Sequence, residues 1–166
     1  MIIFTEELKG FEIMMKEVPR YSTAAGQAER ERLTASIRKS RSFRNGRHKE
    51  LFLATVCECT KGGASVSNEF LAAIYLFTAS ERLWECAQSG IYRNDIDFKR
   101  ISTKRMGIIN YCLLKAAEDI YTDSMHFSIG EIASPDIISD NLLQIIMNAV
   151  VIKRGKFQKS TEDLWR

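Results

Sequence analysis

Between residues 49 and 155 the apolar side chains return every three or four positions, and little in between can break a helix. Prolines number two in 166 residues, and only Pro135 falls inside this stretch. Such spacing lays one apolar stripe along each helix, which must then be buried against another. "KELFLATVCECTK" places Phe52, Thr55, Val56 and Cys59 on one face, and Gly62-Gly63 stops it. Ser67 caps "NEFLAAIYLF", which is apolar nearly all round and is therefore predicted to be central. Thr78-x-x-Glu81 matches a capping box before "RLWECAQ", with Trp84 in the core and Gly90 as the stop. "IYRNDIDFKRI" reads as a loop or a short strand. A long helix opening at Ser102 or Thr103 repeats Ile109, Cys112, Ala116 and Ile120 on one side. "MHFSIGEIA" reads as extended chain and one helical turn, and Ser134-Pro135 as a cap with proline at the first helical position. A last helix spans about Asp140 to Arg154 and closes at Gly155. Five or six helices with short links predict an all-α, or nearly all-α, compact domain.

The first 48 residues differ. Thr5 to Lys16 reads as an amphipathic helix ended by Pro19, with Leu8, Phe11, Met15 and Val18 in one stripe. Residues 20–50 hold nine Lys/Arg against three acids, a net +6 that exceeds the +3 of the whole chain. Their apolar content could bury only a narrow strip, Leu33 with Ile37. A solvent-facing helix and then a loop are expected, with Asn45-Gly46 as a turn. The chain thus divides into an N-terminal helix plus basic arm (1–48), a helical core domain (49–155) and a tail (156–166) that ends beside Trp165.

Within the arm, "SIRKSRSFRNGRHKE" repeats arginine every third position: Arg38, Arg41, Arg44, Arg47, thickened by Lys39, His48 and Lys49. On an α-helix that period smears over half the circumference, so the ladder faces one way only in extended chain or when a partner orders it. Arginine grips phosphate or carboxylate with a planar fork. The readings are a phosphate site, a dock for an acidic protein, or a solvated connector. A second basic group, Arg93, Lys99, Arg100, Lys104 and Arg105, is interrupted by Asp95 and Asp97. If the fold unites the two, they make a groove for a nucleic-acid backbone.

Catalytic signals are thin. No Walker loop, G-x-G-x-x-G or H-E-x-x-H occurs. His48 and His126 would serve a metal-independent ribonuclease only if both entered one cleft with a cation for the phosphorane charge. Asp95 with Asp97, and Glu118 with Asp119, are close enough in sequence for Mg²⁺ but more often cap helices or pair with cations. Cys57, Cys59, Cys86 and Cys112 read as small core residues, and the C-x-C pair would lie ~200° apart on a helix. The final helix-turn-helix rhythm ends in "LLQIIMNAVVI", too apolar to read base edges. No cofactor and no metal are expected. No apolar run reaches the ~18 residues that span a membrane, and no charged leader precedes the N-terminal apolar stretch, so a cytoplasmic protein is expected.

"AAIYLFTASERLW", "IDFKRI", "GIINYCLLKAAEDIY" and "ISDNLLQIIMNAVVIKRG" together resemble small uncharacterised proteins carried by integrative and conjugative elements and phages of Firmicutes, over about residues 49–155. The resemblance lies in core and capping residues and brings no active site with it. It implies context: small element-borne proteins without enzyme motifs often inhibit host defences, CRISPR effectors among them. The expected function is a non-enzymatic protein that binds a protein–nucleic acid complex, such as a type II CRISPR effector with its guide RNA, through a basic surface. Alternatives are the ribonuclease and a DNA-binding accessory factor of the element.

Overall fold

The computed structural model describes residues 23–157. The expected Thr5–Lys16 helix, its Pro19 stop and the Trp165 tail lie outside the described residues. Within them the fold is mostly helical: α1 (Ala24–Lys39), α2 (Gly46–Cys59), α3 (Asn68–Thr78), α4 (Glu81–Ala87), α5 (Ile108–Thr122), α6 (Ile129–Ile132) and α7 (Asp140–Lys153). The only sheet among the described residues is an antiparallel pair, β1 (Ile91–Tyr92) with β2 (Asp95–Ile96). The segment read as loop or strand is this hairpin.

α3 is central, as its all-round apolarity predicts. Every residue from Phe70 to Thr78 is buried, and α2, α4, α5 and α7 pack around it. Removing a ring such as Phe77 from this centre costs about 3–5 kcal/mol. Trp84 and Phe52 join the same core. α1 lies along α2, and its Ile37 has no exposed surface. The division drawn at residue 48 therefore falls inside α2. Gly26 of α1 meets the backbone of Gly63 so closely that a Cβ there would sit 2.5 Å from the Gly63 carbonyl oxygen.

Three boundaries differ from expectation. Ser80, not Thr78, caps α4, its hydroxyl accepting from the Leu83 amide. Thr78 is already inside α3, and its hydroxyl donates back to the Ile74 carbonyl, as threonines late in a helix do. α5 begins at Ile108 after Gly107, because Arg105 (φ 57°) and Gly107 (φ 77°) take left-handed backbone and bar a helix through 102–107. Ser134-Pro135 opens only a turn. The last helix starts at Asp140, as expected, after Ser139, whose hydroxyl accepts from the Leu142 amide. Ser67, Gly62-Gly63 and Gly155 act where expected.

Helix direction decides which basic residues share an end of the bundle. Arg44 and Glu81 mark the C-terminal end of α3, since Arg44 donates to the Ala79 carbonyl (3.3 Å) and Arg47 pairs with Glu81 (2.7 Å). α2 and α4 therefore both begin there. At the other end of α3, Tyr121 of α5 lies in the field of Glu69. Gly155, just past α7, abuts Asn68, and Lys153 reaches the Ile120 carbonyl and Asp123. α5 and α7 thus finish beside the start of α3. With 15 and 14 residues against its 11, they run back past it, over roughly 21–22 Å against 16 Å. Four helices thus start at one end of the bundle.

Candidate functional site: an anchored basic surface

The link between α1 and α2, residues 40–45, is tied down by a buried polar knot. Ser42 and Ser40 are buried, as are His48, Tyr75 and Asn148. Buried polar groups persist only when bonded, and here each finds a partner. The Ser42 carbonyl accepts from the Tyr75 hydroxyl and from the Asn148 amide (2.9 Å). Asn148 also donates to the Tyr75 oxygen (3.2 Å) and accepts from Gln144 (3.1 Å). Phe43 rests on His48, Phe52 and Tyr75 at ring separations of 5.1–5.5 Å.

His48 completes the knot. Its Nδ1 accepts from the Arg44 amide (3.1 Å) while Nε2 donates to the Tyr75 carbonyl (2.9 Å). Both nitrogens are used, which fixes a neutral tautomer. Burial lowers its pKa to about 4, assisted by the nearby Arg44 charge and opposed by the bond to Tyr75. The Asn45 side chain accepts from the His48 amide (2.8 Å) and so caps α2. Asn45-Gly46 is a helix start, not the turn expected of it.

The arginine ladder is neither extended nor helical throughout. Arg38 lies in the last turn of α1, Arg41 and Arg44 in the link, Arg47 in the first turn of α2. Two rungs serve the fold: Arg44 on Ala79, and Arg47 on Glu81. Lys49 does too, donating to the carbonyls of Arg38 (2.6 Å) and Ser40 (2.8 Å). Arg38, Lys39 and Arg41 stay exposed, and none pairs with a carboxylate among the described residues. The link holds Arg41 at the surface, with Arg38 and Lys39 in the helical turn just before it, while its other face is fastened to the core.

The second basic group is split by the fold. Arg93 is at the hairpin turn, stacked over Tyr92 (5.4 Å), and neighbouring Asn94 donates to the Ser65 carbonyl near the start of α3. That is the end remote from Arg44. Lys99 and Arg100 are exposed on a short 3₁₀ turn beside Ser89. Lys104 and Arg105 are exposed and lead into α5, which starts at the end where α2 also starts. Neither α2 nor α5 has an acid in its first turn, so nothing there offsets the positive ends of those helices. Of the acids nearest by, Glu81 is engaged by Arg47 and Glu85 by Arg82 (3.0 Å), while Glu50, in the second turn of α2, is exposed. Glu50 and Asp140, the latter opening α7, are the counter-charges.

The two histidines are not brought into one cleft. His48 is sealed in the knot at 2% exposure. His126 lies beyond the end of α5, its ring Nδ1 and backbone amide both on Asp119 (2.6 and 2.9 Å). Burial raises the Asp119 carboxyl, and the bonds from His126, Ser124 and Phe127 outweigh it, leaving it below its ordinary value. This cluster closes the loop after α5. The ribonuclease geometry is absent because a fully bonded, buried imidazole can neither meet a substrate nor exchange its proton with one. Asp95 is bonded to the Tyr121 hydroxyl (2.5 Å), and Asp97 caps the 3₁₀ turn through the Lys99 amide. Glu118 is paired with Lys115 (2.7 Å). Among the cysteines, burial pushes the Cys59 thiol up to about 12, so it stays protonated and unreactive.

Reading along the sequence missed Ser42, Tyr75 and Asn148. Asn148 was the available signal: it stands with Gln144 four residues earlier in the otherwise apolar "LLQIIMNAVVI", and an amide in such a stripe must find a buried partner.

Together these features define an all-α protein with a pre-shaped cationic end. No protein-family model, curated protein or solved structure matches the chain.

Proposed function

We propose that this is a non-enzymatic binding protein that engages a nucleoprotein target through the basic end of its helical bundle. The observation that supports the reading most is the anchored link. It is secured from within by Ser42, Tyr75 and Asn148, and it leaves Arg38, Lys39 and Arg41 without carboxylate partners among the described residues. A cationic strip needed only for solubility has no use for such a foundation.

The finer reading joins this surface to the resemblance to proteins of mobile elements. The protein acts as an anti-CRISPR inhibitor, occupying a type II effector nuclease loaded with guide RNA. The buried state of His48 removes the support for a ribonuclease, and the buried face of α7 removes it for base reading by that helix. The test is DNA cleavage by a purified type II effector–guide complex with increasing protein. Dose-dependent loss of cleavage, relieved by Arg38→Ala/Arg41→Ala, supports the reading. Full cleavage at saturating protein across several such effectors overturns it.

A further inference from the structure

The turn into α5 carries more than charge. Ile108 is 75% exposed and Ile109 61%, with Tyr111 beside them at 41%. Ile108 and Tyr111 are three apart on the helix and so share a face, and Lys115 lies over the Tyr111 ring (5.7 Å). Lys104 and Arg105 immediately precede this apolar face, both exposed. Arg105 is also in left-handed backbone (φ 57°), a conformation that asparagine or glycine adopts more readily than arginine. Its side chain has no partner among the described residues, so the turn keeps an arginine where the backbone alone favours another residue.

We infer that this face and the anchored link form one bipartite site for single-stranded nucleic acid. Lys104, Arg105, Arg38, Lys39 and Arg41 take the phosphates, and Ile108 and Tyr111 cover unstacked bases. Charge complementarity selects a polyanion, since the cations at this end outnumber the acids left unpaired. The apolar face selects its form. A duplex hides its base faces, whereas a single strand offers them for stacking and apolar contact. An acidic protein would also suit the cations and is the rival outcome. The inference rests on the proposed function in placing binding at this end, and it deepens that reading by naming the component touched.

The test needs no effector. The full chain is titrated against a fluorescein-labelled oligonucleotide of about 20 nucleotides, single-stranded or annealed to its complement, by fluorescence anisotropy across a salt series. With five phosphate contacts, log K against log salt should slope at about −3.5 for the single strand. Lys104→Ala/Arg105→Asn should reduce the slope by about 1.4. Ile108→Ser/Tyr111→Ser should weaken binding while leaving the slope intact, because it removes base contact and no charge. All these positions are at the surface, and unchanged thermal melting checks that each variant is folded. No binding at low salt, equal binding of the duplex, or indifference to the loss of Ile108 and Tyr111 each overturns the inference. Oligonucleotide binding without inhibition of an effector would sink the anti-CRISPR reading and leave this one standing. The reverse result would do the opposite.

Discussion

Asn148 donates its side-chain amide to the carbonyl of Ser42, 106 residues earlier, so the last helix of the bundle fastens the link that carries the arginines. The bond is buried, and replacing Asn148 with alanine strands the Ser42 carbonyl and the Tyr75 hydroxyl with one partner fewer. Asn148→Ala should cost about 1–3 kcal/mol in urea unfolding. It should also speed amide exchange across residues 40–45 beyond what that global loss explains. Unchanged exchange there would show that the link is held by other means.

His48 predicts acid sensitivity. Its folded pKa, about 4, lies below the ordinary 6.5, so the unfolded chain takes up a proton first as pH falls. The neutral imidazole therefore contributes its full stability above pH 6.5. That contribution is lost progressively between pH 6.5 and 4, by about 3 kcal/mol in all. His48→Gln should start less stable at pH 7 and show a flatter profile over this window. Identical profiles for the two proteins would refute the assignment.

The four arginines should separate by role. Arg38→Ala/Arg41→Ala should shift stability by less than about 0.5 kcal/mol, as surface changes do. Arg44→Ala/Arg47→Ala removes the bonds to Ala79 and Glu81 and should cost up to about 1–2 kcal/mol. Chemical denaturation of the two double variants distinguishes them, and a larger loss in the first pair would mean that those side chains serve the fold.

Gly26 predicts a steric limit. A methyl group there would lie 2.5 Å from the Gly63 carbonyl oxygen, and both partners are backbone. Gly26→Ala should destabilise by about 1–3 kcal/mol through that clash, outweighing a helix-propensity gain of up to about 1 kcal/mol. A raised melting temperature would show that α1 can shift away from α2 without loss.

Much of the fold was legible because it rests on periodicity and caps. The apolarity of residues 70–77 foretold the central helix, Ser67 its start, and Gly62-Gly63 the end of α2 before it. The failures came where a nearer residue outcompeted a plausible signal. Ser80 stands next to α4 while Thr78 is already helical, and Arg105 takes a left-handed turn that nothing in its chemistry announces. The site was half legible. The cations were evident from their number. Which of them the fold consumes depends on contacts such as Arg44 with Ala79 and Arg47 with Glu81, 35 and 34 residues apart. No local pattern encodes those, and the same holds for the bond from His48 to the Tyr75 carbonyl, 27 residues away, whereas His126 is held by Asp119, only seven residues earlier.

The knot beneath the link also changes how genetics on this molecule should be interpreted. A screen for lost binding would recover substitutions at interior positions such as Tyr75 and Asn148 alongside those at Arg38 and Arg41. The first kind would look like contact residues though no guest ever touches them. Only a comparison of each mutant's shape with its affinity tells a missing finger from a broken wrist.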